Sequence, residues 1–93
     1  MTNLEALRRA VELAGSQSEL KRRLVAAGHK ISQSAIALWL KAPAGMPSNW
    51  AVPVAKAVEF GVTPHELDSD AYPNPWDALP AEKARPLFDA LPA

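Results

Sequence analysis

Proline is confined to one end of this 93-residue chain: all nine prolines fall at or after Pro43, and none interrupts the first 42 residues. A proline inside a helix removes a backbone donor, and its ring collides with the preceding turn, so the amino-terminal stretch is free to be helical throughout. Glycine punctuates that stretch. Gly15, Gly28, Gly45 and Gly61 each follow a segment of helical periodicity, where a left-handed residue ends a helix. The expected architecture is all-α, with four helices, a short fifth turn of helix and a proline-rich carboxy-terminal tail.

The helix starts are written in capping residues. Thr2 with Glu5, Ser16 with Glu19 and Thr63 with Glu66 each match a capping box, in which hydroxyl and carboxylate satisfy two unpaired backbone donors. The first helix is expected from Leu4 to Ala14, with Leu4, Leu7, Val11 and Ala14 on its buried face. The second follows Ser16 and aligns Leu20, Leu24 and Ala27. The third begins at Ser32, with Ile36, Trp39 and Leu40 inward and Gln33, Ser34, Ala37, Leu38 and Lys41 outward. In the fourth, Pro53 is tolerable only in the first turn, so regular helix is expected from Val52, burying Val54, Ala57 and Val58. A short turn of helix from Pro64 to Asp68 follows.

Composition narrows the function. Without cysteine there are no disulfides, thiol nucleophiles or thiolate metal sites. His29 and His65 lack a second histidine at helical ligand spacing, so no metal is expected. No nucleophile with an adjacent base, phosphate-cradling glycine loop or paired-carboxylate motif is present, so neither catalysis nor a cofactor is expected. The charged amino terminus and the lack of a long apolar run lead us to expect a soluble, cytoplasmic, nucleoid-associated protein. Net neutrality conceals a division. Seven Lys and Arg face three Glu through Lys41, and three basic residues face seven acidic ones beyond it. That split suits a surface meeting a polyanion on one side, and equally suits ordinary solvated helix faces.

The stretch from Ser16 to Lys41 places two capped helices in succession. A helix entering the major groove by its amino terminus presents its first outward side chains to base edges, while its partner crosses the phosphate backbone. Gln33 and Ser34 have suitable chemistry, since glutamine pairs with the adenine edge and serine donates or accepts.

At this point the sequence resembles the small Cro-like and YdaS-like helix-turn-helix regulators of phages and bacteria. The resemblance spans Leu4 to Pro73. It rests on GSQSEL at Gly15 to Leu20, SQSAI with Trp39, Leu40 and Lys41, Pro47 with Trp50, and VTPHEL followed by Asp70, Tyr72 and Pro73. It implies a compact four- to five-helix, lambda-repressor-like domain over residues 1–73, with a tail over 74–93. It also implies repression of transcription by a homodimer on a palindromic duplex-DNA operator. Gln33, Ser34, Ala37 and Leu38 fall at base-reading positions, Leu38 suiting a thymine methyl. Gln17, Ser18, Lys30, Ser32 and Lys41 are the expected phosphate contacts. Two positions depart from the pattern: six residues separate Leu24 from Ile31 where the family has one, and Lys21 stands where it has a small alanine.

Other readings stand beside this one. Gln33 and Ser34 also suit a merely solvated first turn, and Lys21, Arg22, Arg23 and Lys30 suit either phosphate tracking, strongest at low salt, or plain solvated charge, the simpler account for any one of them. Trp39 shares the stripe of Ile36 and Leu40 and is expected in the core. Trp50 is open to three roles: a phosphate contact through its indole donor, a cap on the core, or a dimer contact. Trp76 suggests packing onto the domain or a partner. In the tail, Leu87, Phe88 and Leu91 form one apolar face of a short helix whose start Pro86 restricts. An acidic tail gripping a protein partner, as in an antitoxin or adaptor, is the alternative function.

Overall fold

The computed structural model describes residues 2–41 and 46–89, the last three by their backbone alone. Six α-helices account for the regular structure, with no strand among the described residues: α1 Asn3–Ala14, α2 Gln17–Ala26, α3 Gln33–Lys41, α4 Ala51–Ala57, α5 Pro64–Leu67 and α6 Ala81–Asp89. A 3-10 turn, Ser48–Trp50, leads into α4. The helix end expected at Gly45, and the Leu87, Phe88 and Leu91 face, lie outside what is described.

Each start has a physical cause. The hydroxyls of Thr2, Ser16 and Ser32 accept from the backbone N–H of Glu5, Glu19 and Ala35, at 3.1, 3.1 and 3.2 Å. Ser32 is therefore the cap of α3 and not its first residue. The reciprocal box closes at α5, where the Glu66 carboxylate accepts from Thr63 N–H. At α2 the expected second half is replaced, because Glu19 turns to two arginines instead. Pro53 is accommodated in the first turn of α4, which starts at Ala51, one residue earlier than expected.

α1 packs against α2, α3, α4 and α5, α2 against α3 and α4, and α4 against α5. The core is built from Leu7, Leu20, Leu24, Ile36, Trp39, Val54, Val58, Val62 and Leu67 with Ala6, Ala10, Ala14, Ala51 and Ala55 between them. Burying each large side chain contributes about 1.5–3 kcal/mol. Two expectations are corrected here. On α1 the deepest stripe runs through Ala6 and Ala10, leaving Leu4 and Val11 half-buried; on α4 it runs through Ala55, leaving Ala57 half-buried. Alanines let helix backbones approach closely, and their weak hydropathy hides them from a search for large apolar residues.

Helix ends show a further correction. At α2, His29 N–H donates to Leu24 C=O and Gly28 N–H to Val25 C=O, both at 3.0 Å, with Gly28 left-handed at φ 96°. This is a Schellman closure. The same pair of bonds ends α4, from Phe60 to Ala55 and from Glu59 to Lys56, but Glu59 (φ 53°) takes the left-handed position. Gly61 is thus not the left-handed terminator its position suggested. A Cβ on Gly61 would lie 2.8 Å from Leu13 Cδ1 and 3.2 Å from the Val58 carbonyl oxygen, so a larger residue there has to displace the Leu13 side chain of α1. Gly61→Ala is expected to cost about 1 kcal/mol in a thermal melt, the low end for overpacking because Leu13 can move, and Leu13→Ala in the same chain should recover much of it. Equal losses in the single and double variants would show that the contact is unimportant.

The tail is more helical than its prolines suggest. α6 runs through Pro86, and among the described residues it contacts no other helix. Trp76 is half-buried in the segment before it.

Candidate functional site

α2 and α3 meet at their amino-terminal ends, where the Ser18 hydroxyl donates to Gln33 Oε1 at 3.0 Å. Beside that bond lies an open groove of about 380 Å³ lined by Ser18, Lys21, Arg22, Val25 and Gln33. Its α2 members recur at intervals of three and four residues, so one helix face supplies them all. Lys21 stands on this groove, while Leu20 and Leu24 of α2 and Ile36 of α3 are fully buried in the core.

α3 is held from behind by Ile36 and Trp39, which turns its opposite face outward. Gln33, Ser34 and Lys41 are exposed and Ala37 is half-buried, while Leu38 keeps 65% of its surface in contact with solvent. That exposure rules out a core role for Leu38. The backbone N–H groups of Gln33 and Ser34 belong to a first turn, whose donors α-helical geometry leaves unpaired.

The long α2–α3 connection is pinned rather than loose. His29 meets the Trp50 ring edge-on at 5.6 Å, and Trp50 packs on Trp39 at 5.4 Å. Trp50 therefore caps the core, the second of its three sequence readings, and Trp39 is buried as expected. Ile31 packs against the core and Lys30 points to solvent.

Among the expected phosphate contacts, Gln17 is half-buried, and Ser18, Lys30, Ser32 and Lys41 are exposed. The exposed Ser18 hydroxyl donates to Gln33 Oε1 and so braces that side chain. The Ser32 oxygen is engaged in capping, with its proton free to donate.

Charge on α2 is organised by Glu19. It accepts from Arg22 through Nε at 2.8 Å and through Nη2, and from Arg23 Nε at 3.5 Å. The hydrogen bond from Arg22 is the main cause that holds its carboxyl down to about 2. Arg23 also donates from Nη1 to the Ala57 carbonyl at 3.0 Å, at the end of α4 where backbone acceptors are unsatisfied. Arg23 is thereby a tether between α2 and α4 and not a free surface charge. Sequence reasoning missed this, and also Val25 as a groove wall. The spacing Ser18, Lys21, Arg22, Val25 carried a signal for the groove; a contact to Ala57 had none.

No protein-family model matches the chain, and no match was found among curated proteins or solved structures. Among the described residues no group of three or more His, Asp or Glu is placed to hold a metal ion, and no helix is long and apolar enough to cross a membrane. Chemically, the α2–α3 face offers amide and hydroxyl donors, one exposed apolar side chain and several cations around a concave strip.

Proposed function

We propose that the chain is a helix-turn-helix regulator that binds duplex DNA, with α3 reading bases and α2 lying across the phosphate backbone. It acts on a two-fold operator as a dimer, in the manner of Cro-like and YdaS-like repressors, within the cytoplasm where that DNA lies, and it performs no catalysis. One observation carries the proposal: Gln33, Ser34 and Leu38 project from an α3 whose other face is locked into the core, with Gln33 braced by Ser18. A braced amide, a hydroxyl and an apolar group are the types that read adenine edges and thymine methyls. Lys30 and Lys41, exposed at the two ends of α3, suit flanking phosphates.

The test is selection of bound sequences from a random duplex pool. A palindromic motif is expected, with half-sites about 34 Å apart, one helical turn. A pool that emerges without enrichment overturns the proposal.

A second reading has its own support, because α6 stands off the other helices and is therefore available to a protein partner. Deleting residues 74–93 separates the two. On the repressor reading the truncated chain still binds a single half-site, with full-operator binding lost if the tail supplies the dimer contact. Unaltered operator binding with loss of a co-purifying protein favours the antitoxin or adaptor role.

A further inference from the structure

We infer that the groove between α2 and α3 is a subsite for one backbone phosphate, with Lys21 and Arg22 as its cations and Glu19 as a built-in competitor for Arg22. This rests on the duplex-binding reading of the α2–α3 face, and within it chooses the phosphate role over plain solvated charge for Lys21 and Arg22 and adds Glu19 as their regulator.

The groove is open and carries two cationic side chains, Lys21 and Arg22. Lys21 enters no ion pair among the described residues. Val25, 48% exposed, forms an apolar wall. A phosphodiester oxygen accepts and never donates, so two cations beside a sheltering wall match it.

Arg22 is the adjustable member. Its side chain is 72% exposed, whereas Glu19 is 29% exposed and is also held by Arg23. Glu19 occupies the Nε and Nη2 donors, leaving Nη1 for a phosphate oxygen. The Glu19 charge opposes that phosphate at short range. Neutralising it should therefore strengthen binding to every duplex without changing which bases are preferred.

The experiment measures binding of a random-sequence duplex by fluorescence anisotropy over a salt series, for the unaltered chain and for Lys21→Gln, Arg22→Gln and Glu19→Gln. Thermal melts confirm folding; Lys21→Gln disturbs neither the Ser16 cap nor the core. Each lost phosphate cation should flatten the log–log salt slope by about 0.9. Lys21→Gln and Arg22→Gln are each expected to do so. Glu19→Gln should tighten binding roughly twofold to fivefold at low salt, the size of an exposed ion pair. Unchanged slopes for folded Lys21→Gln and Arg22→Gln, on a duplex the unaltered chain binds, overturn the subsite and leave the duplex-binding reading standing. An unaltered chain that binds no duplex overturns both.

Discussion

Replacing Ile36 with alanine is expected to lower stability by about 2–5 kcal/mol, through lost burial and the cavity left behind. Ile36 is fully buried and is one of the two side chains that fasten α3 to the rest of the fold. A chain of this size has only about 5–15 kcal/mol in total, so the loss is a large share of it. At about 4–8 °C per kcal/mol, the melting temperature should fall by roughly 8–40 °C. Ile36→Val, which keeps most of the volume, should cost about 0.5–1.5 kcal/mol. If Ile36→Ala melted with the parent chain, α3 would be anchored by something other than this contact, and the outward row from Gln33 to Leu38 would lose its basis.

The second large effect concerns selectivity. Gln33→Ala should reduce discrimination at its base position by about 1–3 kcal/mol, which is roughly fivefold to 150-fold. Stability and the salt slope should barely move, because Gln33 is exposed and carries no charge. Ser18→Ala is expected to lose part of the same discrimination by freeing the Gln33 amide to rotate. The measurement is competition between the selected motif and single-base variants of it. An identical ranking of sites for Gln33→Ala and the parent would remove Gln33 from the reading face. Lys41→Ala provides the contrast, weakening all sequences evenly and flattening the salt slope by about 0.9.

Much of the helical layout was legible because it is dictated locally. Thr2, Ser16 and Thr63 mark helix starts, since a hydroxyl reaches an N–H three residues away, and these caps are formed; Ser32, the expected first residue of the third helix, caps it as well. The apolar spacing of Ile36 and Trp39 likewise identified the hidden side of α3 and hence the side presenting Ser34 and Leu38, while Gln33, three residues before Ile36, is exposed by its place at the start of the helix. The α1 and α4 stripes were harder. Ala6, Ala10 and Ala55 carry too little hydropathy to stand out from the larger residues beside them, although close helix contact selects them.

Pro86 shows a similar limit in the tail. It suggested a constraint on where a helix could start, yet α6 begins at Ala81 and continues past it. The cost of a proline within a helix is finite, and five preceding residues already form the turn that it joins.

The order of neighbouring residues by itself determined the all-α class, the caps, the outward row of α3 and the basic character of the amino-terminal half, because these depend on relations over three or four positions. Tertiary structure alone decided that Ser18 braces Gln33 fifteen residues away, that Arg23 tethers Ala57 thirty-four residues away, and that Gly61 makes room for Leu13. Such partners are chosen when helices pack. No local rule of spacing or capping acts across those separations, so the groove and its charge arrangement emerge only from the folded chain.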